Sequence, residues 1–151
     1  MNTFEKETEK FIGFLNQHTI WVLATGYNND ISARSMSIIN VSNKIYFQTD
    51  INFEKSKQLQ KNPHVALCCG NYQVKGHAKI LGSTTDEANM SLMNHYQKIH
   101  PDSYRRYSKR EGGCLIEVEP ENVQIWDYIN DEPYIISLNL VKQTVDIKKY
   151  E

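Results

Sequence analysis

The sequence has little that would staple it, anchor it or give it a strong field. Its three cysteines, Cys68, Cys69 and Cys114, are odd in number and two are adjacent in an apolar run, which argues against a disulfide framework. No second cysteine pair or histidine pair supplies the spacing of a structural zinc site. Reduced thiols acting as small buried hydrophobes are the plain reading. Apolar runs stay short, VALCC at 65–69 among them, far below the roughly 18 residues of a membrane span. The opening MNTFEKETEK mixes charges without a signal-peptide apolar core, so a cytoplasmic location and no membrane partner are expected. Charge of one sign is missing too. Seventeen Lys and Arg stand against 18 Asp and Glu, a formal net charge of -1, so no overall field recruits nucleic acid and any anion site must be local.

Familiar catalytic signatures are also absent. There is no phosphate-cradling glycine loop, no serine nucleophile elbow and no histidine pair at metal-ligand spacing. The five histidines, His18, His64, His77, His95 and His100, are scattered over different segments and read as surface or turn residues. No metal site and no acid or base is expected from them.

What is present is a globular composition on a length that suits one domain spanning 1–151: 151 residues, 40% hydrophobic and 23% charged, with room for a sizeable core. Phe4, Thr8, Phe11 and Leu15 recur at helical spacing, and Asn2 with Glu5 resembles a capping box, which predicts a helix ending near Gln17. IWVLAT at 20–25, the turn-former YNND at 27–30 and SARSMSIINV at 32–41 predict a hairpin, and IYFQT at 45–49 a third antiparallel strand. EKSKQLQK at 54–61 predicts a short crossover helix before the Asn62-Pro63 breaker. VALCC and VKGHAKIL predict another hairpin, with Gly76 marking a bulge or close backbone approach. Thr84 with Glu87 resembles a second capping box before a helix carrying Ala88, Leu92, Met93 and Tyr96, and Pro101 can open a further short helix. CLIEVEP at 114–120, VQIW at 123–126, YIISLNL and TVDIKK supply the closing strands. Mainly antiparallel β-structure with accessory helices, built as a small barrel, follows from this order.

Two cationic features stand out. Arg34 lies inside a strand of small and apolar residues, where a charge must be paired or face a cleft. Lys55 and Lys57 open the crossover helix just after Thr49 and Asp50. A phosphate group explains both, because helix N-termini present free amides to anions while Arg offers a fork and Lys a point charge. Each has an ordinary reading as well: the lysines as a solvated helix face, Arg34 as the partner of a structural carboxylate.

In these parts the sequence resembles the pyridoxamine 5'-phosphate oxidase-like flavin-binding split barrels, including the general-stress-protein branch. The likeness runs from about residue 10 to 127 and keeps the family's order: an initial helix, IWVLATG, Arg34-Ser35-Met36, IYFQTD, Lys55 ahead of Pro63 in KSKQLQKNPHVAL, VKGHAKI and PENVQIW at 120–126. The resemblance implies a six-stranded antiparallel split β-barrel and a homodimer with flavin mononucleotide (FMN) at the subunit interface. It also implies that Arg34 and Lys55 hold the flavin phosphate, that Thr49 and Asp50 complete that end, and that Lys57 is a second lysine contact. Ser35, Met36 and Ser37 would run along the isoalloxazine ring. Trp126 matches a tryptophan that approaches the flavin from the partner subunit, and Asn71 falls where the family often has Gln.

The departures bear on activity. Glu54 stands where true pyridoxamine phosphate oxidases have Arg or Ser. YIISLN around Ile135 and Ile136 replaces their Arg-Leu-His motif, and the Tyr-Arg-Ser spacing of their substrate-phosphate site is not reproduced around Tyr104 to Ser108. Vitamin B6 oxidation is therefore not the expected activity. The expected function is that of an FMN-dependent oxidoreductase with an unknown small-molecule substrate. The alternatives are a non-catalytic flavin, heme or deazaflavin binder, and a structural barrel without cofactor.

Overall fold

Asn2 begins the first helix as its side-chain pattern requires: its Oδ1 accepts from the Glu5 amide at 2.8 Å while the Glu5 carboxylate reaches back to the Asn2 amide. This capping box starts α1 (Thr3–Gln17), which buries Phe11 and Leu15 against the sheet. The computed structural model describes residues 1–151. After α1 come β1 (Ile20–Tyr27), β2 (Asp30–Ser37), β3 (Ile39–Val41), β4 (Lys44–Asp50), α2 (Glu54–Lys61), β5 (His64–Cys69) and β6 (Tyr72–Ser83). A 3-10 turn (Glu87–Asn89), α3 (Met90–Ile99), α4 (Pro101–Tyr107), β7 (Gly113–Ile129), β8 (Glu132–Asn139) and β9 (Thr144–Lys149) complete the chain.

All strand pairs are antiparallel, in the order β2-β1-β5-β6-β7-β4-β3, with β8 and β9 continuing outward from β7. The tight hairpins have a local cause. Asn28-Asn29, Ser42-Asn43 and Asn130-Asp131 all take positive φ, from 49° to 66°, as two-residue turns that match the strand twist demand. The two ends of the seven-strand path, β2 and β3, are joined in the chain by the single residue Ile38, so the sheet must curl until its ends meet. They meet without hydrogen-bonding to each other, and the barrel is split there. Counting β2 and β3 as one run, as the sequence pattern does, leaves the six expected barrel strands; β8 and β9 are the extension.

The interior is filled by Trp21, Leu23, Phe47, Leu67, Ile116, Val118 and their neighbours. A second cluster, Ile39, Tyr46, Met93, Tyr96 and Leu115, seats α3 on the outside of β3, β4 and β7. Gly76 is a site of close backbone approach. A Cβ there would overlap the Glu119 carbonyl oxygen, and the β6–β7 register shifts beside it, so that Glu121 is left as the bulged residue. The bulge lets Pro120 lie within β7 without breaking the ladder.

One expected cap is corrected. Thr84 does not cap a helix: its hydroxyl is buried and donates to the Ser108 carbonyl at 2.6 Å, while Asp86 stands at the start of the 3-10 turn and α3 begins only at Met90. Burial offered Thr84 a tertiary acceptor, and that won over the local cap. No helix is long and apolar enough to cross a membrane.

Candidate functional site

The split between β2 and the β3–β4 hairpin opens into a cavity of about 440 Å³. Its β-sheet walls are Ser35, Met36 and Ser37 at the end of β2 and Gln48, Thr49 and Asp50 at the end of β4; Phe53 and Lys55 enter from the start of α2. Tyr96, Ser103, Tyr107 and Arg110 complete the lining together with Gly113, the register partner of Asp50. Six of the sequence-derived candidates, Ser35, Met36, Ser37, Thr49, Asp50 and Lys55, therefore share one wall.

Arg34 stands next to that wall. It faces Leu23 across the β1–β2 ladder, and its guanidinium donates to the Thr25 hydroxyl at 2.8 Å, to the Ser32 hydroxyl and to the Leu23 carbonyl. None of these acceptors is a carboxylate, and no ion pair forms, so the structural-partner reading of Arg34 does not describe this chain. Partial burial lowers its pKa, opposed by the charge of Glu54.

Lys55 is half-buried, sits 4.9 Å from the Phe53 ring centroid and likewise makes no ion pair. Burial and then the charge of Arg34 push its pKa down; Cys114 and Asp50 pull the other way. Two neighbouring cations, neither in an ion pair with the carboxylates nearest them, Glu54 and Asp50, make this an anion-seeking corner. The backbone points the same way. Phe53 offers no side-chain cap to α2, the Ser56 and Lys57 amides return to the Phe53 carbonyl, and the amides of Glu54 and Lys55 are left free. Thr49 adds a buried hydroxyl with no partner at all, a state that costs stability unless a ligand satisfies it.

Asp50 has a structural task. Its Oδ1 accepts from the Asn52 amide at 2.8 Å and its carbonyl from the Ser56 hydroxyl at 2.6 Å, fixing the turn that aims α2 at the cavity. Glu54 points its carboxylate at the Gln58 amide, 3.3 Å away, and does not line the cavity. The repulsion an inward Glu54 would bring is thereby avoided.

Three candidates are not brought to this wall. Lys57 is exposed and lies off the lining. Asn71, in the β5–β6 turn, donates to the Trp126 carbonyl at 2.7 Å, and Trp126 rests on Tyr150 with ring centroids 5.4 Å apart. These two form a pair of their own at the far end of β7, with Trp126 43% exposed.

The remaining lining residues were not legible in the sequence. Gln48 is held by Ser108, whose hydroxyl donates to its Oε1 at 2.6 Å, and its amide lies 3.3 Å from the Ser103 hydroxyl. Tyr96 shares a 2.8 Å hydrogen bond with that same Ser103, and burial pushes the Tyr96 pKa up. Such a buried polar network rigidifies the wall it forms. Helical periodicity marks Tyr96 as core, and nothing local tells that its hydroxyl reaches a cavity. No histidine lines the cavity. The arrangement can hold one doubly charged oxyanion at the α2 end and a flat polar ring against the strand edge.

Comparison with known proteins agrees with this architecture. The model of the family described as pyridoxamine 5'-phosphate oxidase matches residues 7–127. No curated protein sequence matches the chain. Among solved structures, general stress protein 26 from Bacillus anthracis is similar at 21% identity and a TM-score of 0.65, over 89% of this chain and 99% of that one. A pyridoxamine 5'-phosphate oxidase-related, FMN-binding protein from Nostoc punctiforme is similar at 13% identity and a TM-score of 0.63, over 100% and 98%. HutZ, the heme storage protein of Vibrio cholerae, is similar at 11% identity and a TM-score of 0.66, over 78% and 92%. At these identities the likeness to solved structures is one of fold.

Proposed function

We propose, from the premise that this chain belongs to the pyridoxamine 5'-phosphate oxidase family, that it is an FMN-binding flavoprotein acting as an oxidoreductase. The observation that carries this reading is the α2 corner of the cavity: Lys55 and Arg34 without a carboxylate partner, two free amides and the orphaned Thr49 hydroxyl. A phosphate dianion would give Lys55, the two free amides and the Thr49 hydroxyl the partner they lack, with the Arg34 charge beside them. The residues present thus fit the cofactor whose binding is stated for the Nostoc neighbour.

In this reading Lys55 and the α2 amides take the phosphate, with Arg34 adding charge beside them and Thr49 donating its hydroxyl. Ser35, Met36 and Ser37 lie along the ring. When bound, the flavin supplies reversible electron and hydride transfer, and the protein supplies position, hydrogen bonds and control of access. No side chain in the cavity is assigned as an acid or base.

The site is completed by a second copy of the chain. The outward face of β1 leaves Ile20 at 53% and Val22 at 43% exposed, with Cys68 on β5 opposite Val22, Ala33 on β2 opposite Ala24, and Ser35 and Ser37 on β2 at the cavity edge. A bare apolar face in mid-sheet favours burial against a symmetry mate. Such a homodimer gives Trp126 and Asn71, which lie off their own cavity, a place at the partner's. Vitamin B6 oxidation is not assigned, because the residues around Tyr104–Ser108 and Ile135–Ile136 lack the motifs of that activity.

Heme storage, the role of the Vibrio neighbour, is the weaker reading, since it leaves the cation corner unused and no histidine lines the cavity. Titration of purified protein into FMN, followed by quenching of flavin fluorescence, tests the proposal. Saturable binding is expected. Binding no better than background, or an as-isolated spectrum dominated by a heme Soret band, would overturn it.

A further inference from the structure

The segment from α4 into the following loop reads YRRYSKREGG over residues 104–113 and places Arg105, Arg106, Lys109 and Arg110 close together. The flavin reading leaves all four unused, and their surroundings differ. Arg105 is paired with Asp102 at 3.1 Å. Arg106 and Lys109 are exposed and lie off the cavity; Arg110 alone of the four lines it. Its Nε donates to the Arg106 carbonyl at 2.8 Å and its guanidinium lies 5.6 Å from the Tyr107 ring centroid. Its terminal nitrogens make no hydrogen bond to the protein and it forms no ion pair. The planar fork is thus held at its root and free at its tip.

The backbone ties Arg110 to the α2 end of the cavity. Gly113 is the register partner of Asp50, the Gly113 amide donates to the Arg110 carbonyl at 3.2 Å, and the Ile51 amide donates to the Gly112 carbonyl at 2.8 Å. Gly112 takes φ 85°, and a Cβ there would stand 3.1 Å from the Asp50 carboxylate oxygen. Only glycine closes that loop without strain. Residues 110–113 are therefore laced onto the turn 50–51 that leads into α2 and Lys55.

We propose that Arg110 is a third cation of the anion corner, a clamp that closes on the phosphate and makes the site selective for a phosphorylated flavin over its uncharged counterpart. The inference rests on the flavin reading of the cavity and adds to it the residue that sets its selectivity. Arg34 is already committed to three neutral acceptors and Lys55 is a single point charge. Arg110 offers two unused terminal nitrogens in the fork geometry that matches two phosphate oxygens. Its present contacts, one carbonyl and one ring face, hold the root without consuming the fork.

The test compares affinities for FMN and riboflavin, by fluorescence quenching, for the full-length protein and for Arg110→Gln, Arg110→Lys and Arg106→Gln. Arg110→Gln is expected to weaken FMN about tenfold or more while moving riboflavin less than about twofold, the loss of one charge-assisted contact. Arg110→Lys should recover part of the difference, and Arg106→Gln should match the parent for both ligands. Melting curves without ligand show whether each variant is folded, and Arg110 is exposed enough that all should be. Unchanged FMN affinity in Arg110→Gln, or an equal loss for both flavins, overturns the inference while leaving FMN binding by the parent intact. A parent protein that binds no FMN overturns the flavin reading itself, and this inference with it.

Discussion

Replacing Lys55 by Met should have opposite consequences in the free and the FMN-bound protein, and both can be sized from its surroundings. Met keeps the length and apolar stem of the side chain and removes the charge. In the free protein Lys55 is half-buried, has no carboxylate partner and is disfavoured as a cation by burial and by Arg34. Removing it should therefore cost nothing: the change falls within about 0.5 kcal/mol, or roughly 2 °C in melting temperature for a chain of this size. The pH dependence has a definite sign. Because the folded pKa lies below the ordinary 10.5, the unfolded chain binds more protons between the two values. Stability contributed by this group thus rises with pH across that window. Lys55→Met should lack that alkaline rise relative to the parent.

With FMN the balance reverses. A lost charge-assisted contact of about 2 kcal/mol corresponds to a roughly 30-fold weaker affinity. At a ligand concentration of about 100 times the parent dissociation constant, binding adds about 2.7 kcal/mol to the parent and only about 0.9 kcal/mol to the variant. Melting curves with and without FMN read both quantities. A variant that melts several degrees low without ligand, yet gains as much from FMN as the parent, would show that Lys55 is a structural residue and refute the argument.

Other outcomes follow from the same structure. Gly76→Ala forces a Cβ into the Glu119 carbonyl on the neighbouring strand and should lower the melting temperature by several degrees, whereas Gly13→Ala, with nothing within 4 Å in the middle of α1, should stabilise by about 1 kcal/mol; calorimetry that finds the same sign for both would contradict the packing described. If the proposed homodimer forms through the bare face of β1, Val22→Lys should give a monomer in sedimentation where the parent is a dimer, and reduce FMN affinity with it; a variant as dimeric as the parent would place the interface elsewhere, and a monomeric parent would refute the dimer.

How much was legible in the sequence depended on whether a feature is local. The Asn2–Glu5 box, the turn at 27–30 and the crossover helix are decided by neighbours in the chain, and the structure has them where the pattern places them. The pairing of Gly76 with Pro120 needed a partner strand, but a glycine in mid-strand already signalled a close approach. Thr84 shows the opposite case, a local cap overruled by a buried carbonyl 24 residues away. The cavity divides on the same line. Arg34 and Lys55 were legible from charge, one inside a strand of small and apolar residues and one at a helix start, while Thr49 and Ser35 to Ser37 were legible only through the family resemblance. Gln48, Tyr96 and Arg110 were not, because their positions depend on how α3, α4 and the 110–113 loop fold back over β4. Among the exposed arginines of α4 and its loop, nothing local separates Arg110 from Arg106.

The central claim is that the α2 corner is a phosphate site, and the position of the phosphorus atom in a crystal structure of the FMN complex tests it most directly. The account predicts phosphate oxygens within hydrogen-bond distance of Lys55 Nζ, the Thr49 hydroxyl and the free amides of Glu54 and Lys55, with the ring along Ser35 to Ser37. FMN bound elsewhere on the barrel, or in this cavity with its phosphate turned away from Lys55, would contradict it.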